Sequence, residues 1–291
     1  TLSTTGLTGN AEVDGGTTKL NIATSTVGGE LKLTSGNAAD AFGIIDSGTV
    51  TVGGNLIVTN DVSNGDINMG SLAVDGTIAL VTSGSGGDVT VVNDAGLSFA
   101  DATVGGDFAA TATTGNIIQT GEMDINGTTT ITATASGANV TLDIPSNDFT
   151  GAVSITGNAN NVAIKDINAI NLGAVTAAGT YNVTAGGNIT DSGGQVITGA
   201  ATFVTSGDLP TLTVNAGSPS ALAENEVITG DSSSATGKVV LGEAGSTVVT
   251  YVATSGTFTT ENIRGTSGAT RTVTAVADVT ILLDHPGNSF G

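Results

Sequence analysis

The sequence predicts an all-β protein, a parallel β-helix over residues 1–207 followed by a small β module at 208–291, and three observations predict it. The first is a repeated phrase: a glycine, about five residues of alternating polarity, then usually threonine, starting at Gly29, Gly54, Gly76, Gly106, Gly127, Gly151, Gly179 and Gly199. Its mean step, (199 − 29)/7 or about 24 residues, falls in the range of stacked repeats. The second is the scarcity of helix signals beside abundant turn pairs such as Gly15-Gly16, Asn64-Gly65, Asp75-Gly76, Asn126-Gly127 and Gly193-Gly194. The third is a 38% hydrophobic, 3% aromatic composition, which supplies thin layers of Val, Ile, Leu and Ala rather than a thick core.

Within the phrase, the second residue is Leu31, Leu56, Ile78, Phe108, Thr129, Val153, Tyr181 or Ala201, and the fourth is Leu33, Val58, Leu80, Ala110, Ile131, Ile155, Val183 or Phe203. Alternation of this kind marks a strand with one buried face. The fifth residue is Thr34, Thr59, Thr111, Thr132, Thr156 or Thr184, with Val81 and Val204 in the other two phrases. Stacking the phrases at the strand spacing of about 4.8 Å would place these threonines in one column. The uneven intervals predict loops of uneven length.

After residue 207 the phrase stops, and Asp208, Leu209 and Pro210 followed by Ser218, Pro219 and Ser220 mark a boundary. A different repeat follows, in which Glu226-Val-Ile-Thr-Gly230 returns as Glu261-Asn-Ile-Arg-Gly265 after 35 residues (261 − 226). This predicts a small antiparallel module that caps or couples the solenoid. It holds Arg264 and Arg271, candidates for interface contacts.

Composition excludes several classes of function. The formal net charge of −20, from 26 acidic and 6 basic residues, argues against nucleic acid, whose binding needs clustered Lys and Arg. No long apolar run or basic amphipathic segment predicts membrane insertion. An acidic, lysine-poor surface suits salty water outside a cell, and the start at Thr1 without an initiator Met reads as a processed or excised chain. Lyase chemistry needs a base and cationic groups, yet residues 1–207 offer only Lys19, Lys32 and Lys165 and no Arg or His. Paired carboxylates for glycoside hydrolysis could come from Asp61, Asp66, Asp88, Asp94 or Asp101, but none stands in a catalytic phrase. The single histidine, His285, lies in a terminal turn, and without Cys there is no zinc constellation. No cofactor is expected; calcium is the ion that oxygen-rich turns would suit, with Asp61, Asn64 and Asp66 as candidate ligands.

The segments TVGGDFAATATTGNI, NDFTGAVSITG and DINAINLGAVTAAGTYNVTAGGNITDSG resemble repeats of filamentous-haemagglutinin-like exoproteins and other bacterial β-strand-repeat surface adhesins, over residues 25–207. That resemblance implies a secreted, right-handed β-helix displayed at the cell surface. The stretches ENEVITGDSSSATGKV and TTENIRGTSGATRTV look like short β repeats of tailed-phage structural proteins, although Asn225 and Thr260 replace the usual Gly before the Glu.

Together these features predict a non-enzymatic extracellular structural or adhesive solenoid, a surface adhesin segment or fibre subunit. It would join copies of itself end to end through strand edges or a donated terminal strand, with surface glycans or cell receptors as further partners. Val279, Ile281 and Leu283 form the apolar segment expected at the C-terminal joint. A phage tail-fibre or virion decoration protein is the first alternative, and a β-helix polysaccharide hydrolase the second.

Overall fold

The computed structural model describes residues 1–37, 43–205, 211–214, 222, 226–241, 248–255, 257–266, 269–277 and 281–290. These residues contain strands and turns and no helix, and they divide into two units: 1–206 with 281–291, and 207–280.

The first unit is a β-solenoid of about nine turns with roughly 22 residues per rung. Its strands stack in parallel in two sheets. One runs through Ala11–Asp14, Leu31–Ser35, Leu56–Ser63, Ile78–Ser83, Leu97–Val104, Ile117–Gln119, Val140–Leu142, Val162–Asp166, Tyr181–Ala185 and Ala201–Thr205. The other runs through Leu20–Ile22, Ile44–Asp46, Ile67–Val74, Val89–Asn93, Phe108–Ala112, Thr129–Ala133, Val153–Gly157, Ile170–Ala177, Ile189–Asp191 and Ile281–Leu282. The alternation read from the sequence is the alternation of burial. In Thr129–Ala133, for example, Thr129, Ile131 and Ala133 are buried while Thr130 and Thr132 face outward. The inward residues join in one continuous core along the axis, with Phe99 edge-on to Phe108 at 5.4 Å and Tyr181 edge-on to Phe203 at 5.5 Å.

A short third strand occupies one corner of most rungs, and the corner it occupies changes along the axis. Ser25–Val27, Val50–Val52 and residues 72–74 extend the second sheet. Residues 102–104, Met123–Ile125 and Asp148–Phe149 extend the first sheet instead. Residues 175–177, Gln195–Ile197 and Ser289–Phe290 extend the second sheet again.

This alternation corrects the single column expected from the phrase. Each phrase follows a third strand, so it begins on the first sheet at Gly29, Gly54 and Gly76, moves to the second at Gly106, Gly127 and Gly151, and returns at Gly179 and Gly199. The long intervals, 30 residues (106 − 76) and 28 (179 − 151), are these crossings. Eight rung steps therefore separate the first phrase from the last, not seven, and the expected 24 residues per rung falls to about 22. The threonines divide accordingly: Thr34 stacks on Thr59 in one sheet, while Thr111, Thr132 and Thr156 stack in the other.

Glycine leads each phrase because the corners of adjacent rungs touch there, through backbone at Gly54, Gly76, Gly127, Gly151 and Gly199 and first through an Asn or Asp side chain at Gly29, Gly106 and Gly179. The Gly127 N–H donates to the Gly106 carbonyl at 2.9 Å, and a Cβ on Gly127 would fall 2.4 Å from Gly106 carbonyl carbon and oxygen. No side chain fits there.

The second unit is a closed, antiparallel, six-stranded barrel in the order Thr211–Val214, Val248–Ser255, Thr236–Leu241, Val227–Gly230, Asn262–Gly265 and Thr270–Ala277. Leu212, Ile228, Tyr251, Phe258, Ile263 and Val273 fill it. It is an insertion. Residues 281–291, expected within the module that starts at 208, belong to the solenoid, where Ile281 pairs with Ile189 and Phe290 with Ile197. Apolar alternation alone reads the same for a strand of either unit.

Candidate functional site

The polar side chains of the solenoid gather at its corners and bond to the next rung. Asp66 Oδ1 accepts the Asp88 N–H at 3.0 Å, Asp88 Oδ1 accepts the Asp107 N–H at 2.8 Å, and Asp107 Oδ1 accepts the Thr128 N–H at 2.7 Å. Another corner carries an amide version, in which Asn116 Oδ1 accepts the Asn139 N–H at 2.8 Å, Asn139 Oδ1 the Asn161 N–H at 3.1 Å, and Asn161 Oδ1 the Thr180 N–H at 2.9 Å. Asp101 Oδ1 accepts the Glu122 N–H in the same manner at 3.1 Å. These four carboxylates are thus structural, each satisfying a donor of the following rung.

Two of the three candidate calcium ligands, Asn64 and Asp66, follow this pattern. Asn64, with a left-handed φ of 63°, accepts the Gly86 N–H at 3.0 Å, and Asp66 accepts from Asp88. Burial, and then the neighbouring Asp88 carboxylate, pushes the Asp66 carboxyl above the usual range against that hydrogen bond. Asp61 lies exposed. Among the described residues no group of three or more His, Cys, Asp or Glu side chains is arranged to hold a metal.

Two buried side chains seal a column of third strands where it ends. Asn93 Oδ1 accepts the Val74 N–H at 2.9 Å while its Nδ2 donates to the Val74 carbonyl at 3.2 Å and the Gly96 carbonyl at 2.7 Å. Asp166 does the equivalent at the opposite corner, its Oδ2 accepting the Phe149 N–H at 3.0 Å and its Oδ1 the Asn168 N–H at 2.8 Å. Burial raises the Asp166 carboxyl to about 6 despite those hydrogen bonds. Sequence reading passed over both residues, although each is a polar residue at an inward position of an otherwise apolar alternation: Val89, Val91, Asn93 and Val162, Ile164, Asp166.

The closing rung is anchored by Asp191. Its Oδ1 accepts the Asp284 N–H at 3.0 Å, and its Oδ2 accepts Asn288 Nδ2 at 2.6 Å, while Asn288 Oδ1 accepts the Gln195 N–H at 2.8 Å. His285 lies inside this turn, its Nδ1 accepting the Gly287 N–H at 3.0 Å. Of the expected joint residues, Ile281 is 44% exposed, Leu283 packs partly against the core, and Val279 lies outside the described residues. Leu282 and Phe290 of the same rung are 50% and 44% exposed.

In the barrel, the two copies of the Glu-led repeat are related by a pseudo-two-fold. The Gly230 N–H donates to Ala235 and the Gly265 N–H to Ala269, both at 2.8 Å; across the copies, Asp231 N–H donates to Asn262 and Thr266 N–H to Val227. Each glutamate reaches the glycine of the other copy, Glu226 lying against Gly265 and Glu261 against Gly230. Glu261 accepts the N–H groups of Ser232 at 2.6 Å, Ser233 at 2.9 Å and Thr259 at 3.1 Å. Burial acts to raise its carboxyl, but these bonds and the Ser233 hydroxyl outweigh burial and bring it down to about 2. Arg264 is exposed and forks onto Asp231 at 2.7 and 3.2 Å, whereas Arg271, also expected at an interface, is buried within the barrel.

Residues 86–156 and 159–218 match the model of a family described as repeats of unknown function (DUF5649). The similarity is one of repeats. The unmatched residues 157–158 lie where strand Val153–Gly157 ends, and the second stretch runs past the solenoid through Thr211–Val214. No curated protein and no solved structure matches the chain.

Proposed function

We propose that this chain is a non-enzymatic, extracellular structural and adhesive solenoid, a segment of a surface adhesin or the subunit of an extracellular fibre. The observation that carries the reading is the use of polar side chains: carboxylates and amides that could do chemistry are spent on backbone donors of the neighbouring rung. What remains is a shaft whose stability accumulates through nearest neighbours. Coupling to further copies takes place at the closing rung, where among the described residues Ala201–Thr205, Ile281–Leu282 and Ser289–Phe290 each pair on one side only and Ile281, Leu282 and Phe290 stay exposed. Open strand edges of this kind accept another chain.

Electron microscopy of the purified protein at high concentration tests the coupling. Rods of end-joined particles are expected, shortened in Leu282→Lys, and strictly single particles at every concentration would refute the polymer. A virion decoration protein is the second reading, supported by the phage-like copies that build the barrel; phage structural genes beside the coding sequence would favour it.

A further inference from the structure

Where the third strand changes corner for the second time, the solenoid's outline steps outward. The corners at 134–139 and 158–161 are bare turns, while the next two rungs carry residues 175–177 and Gln195–Ile197 at that corner. The step leaves a cleft of about 320 Å³, lined by Ser136, Asn158, Asn160, Thr176, Val196 and Thr198 among others. No charged side chain lines it, in a chain carrying 26 acidic residues. Its walls are hydroxyls and amides set among alanines and Val196, which is 46% exposed.

We propose that this cleft binds a neutral, polyhydroxylated chain, a short stretch of an uncharged polysaccharide lying along the solenoid axis; the proposal rests on the adhesive reading above. Two features select this ligand class. Strand Ile170–Ala177 pairs with Val153–Gly157 through Leu172 and Val175 on one side and with Gln195–Ile197 through residues 175–177 on the other, which leaves only Thr176 and Ala177 without a strand partner toward the cleft, too short a ladder for an extended peptide. Recognition must come from side-chain hydroxyls and amides, which match sugar hydroxyls. An anionic glycan would find no cation in the cleft and a net charge of −20 around it. The cleft reaches from the corner at Ser136 to Thr198 across four successive rungs, about 14 Å at the strand spacing. With no aromatic platform, each site binds weakly, near the millimolar range, and repeated copies in a fibre would multiply that affinity.

The test is NMR titration of the ¹⁵N-labelled full chain with maltohexaose, cellohexaose and chitohexaose, with hexagalacturonate as the anionic comparison. Saturating shifts confined to residues 134–139, 157–161, 176–178 and 196–198 are expected with at least one neutral hexasaccharide. Thr176→Leu and Asn158→Leu should each weaken that binding at least tenfold, with unchanged circular dichroism, while Thr202→Leu on the outer face of Ala201–Thr205 leaves it intact. No saturable shift with any neutral probe, tighter binding of hexagalacturonate, shifts with a threonine-rich decapeptide in place of the sugars, or binding unaffected by both cleft variants would each overturn the proposal. Rods in the electron microscope beside a silent titration would leave the fibre standing and remove the cleft.

Discussion

The solenoid and the barrel solve one problem in two ways. Both build from short glycine-punctuated strands with few aromatic residues, and neither kind of strand can bury its apolar face alone. In the solenoid each strand leans on the next rung, and its corner carboxylates and amides serve donors one rung away. In the barrel the sheet closes on itself, each copy's glutamate lies against the other copy's glycine, and Glu261 also binds the Ser232–Ser233 turn. Sharing along an axis is open-ended and additive; sharing across a pseudo-dyad is reciprocal and all-or-none. The same residue types therefore make an extendable shaft in one region and a self-contained module in the other.

The largest effect is expected at a corner glycine. Gly127→Val forces a side chain into the Gly106 backbone and should destabilise the solenoid by about 3 kcal/mol or more, while the barrel's thermal transition, followed through Tyr251, stays in place. Next is Glu261→Gln, which removes the charge that several donors converge on. It should cost the barrel about 2 kcal/mol and leave the solenoid's transition unmoved.

Acidity separates the regions in sign. Asp166 has a folded value raised to about 6, above its unfolded value, so it opposes folding when ionised, and stability returns as pH falls through 6. The solenoid should gain about 1 kcal/mol from this group between pH 7 and pH 5, and Asp166→Asn should flatten that part of the profile in calorimetry. Glu261 works the other way: its lowered value adds stability above the ordinary carboxylate range, lost as pH falls from about 4.5 toward 2. The smallest effect belongs to the outer threonines. Thr132→Val deletes a 2.9 Å hydrogen bond to Thr156 on the wet face and should cost about 0.5 kcal/mol in chemical denaturation.

The sequence made the strands legible because burial alternates with period two, and Val153, Ile155 or Val162, Ile164 announce their inward face without help. It left the sheets ambiguous, since alternation reports inward or outward and not which of two parallel sheets a strand joins. The third strands are two or three residues long, as in Met123–Ile125 and Asp148–Phe149, too short to show a period, and they decide where the phrase crosses over. The roles of Asn93 and Asp166 are fixed by partners 19 and 17 residues away, Val74 and Phe149, which no local pattern names. The 35-residue repeat foretold two like copies but not that each glutamate lies against the other copy's glycine.

The contrast between an extendable shaft and a self-contained module depends on the return of residues 281–290 to the solenoid after the inserted barrel. Amide hydrogen exchange followed by mass spectrometry measures it. Peptides covering the strand and turn at 281–288 should exchange as slowly as those covering Ile189–Ile197, and should lose protection together with them in Gly127→Val while the barrel keeps its own. Exchange at the rate of free chain across 281–290, or loss of protection there in step with the barrel in Glu261→Gln, would contradict it.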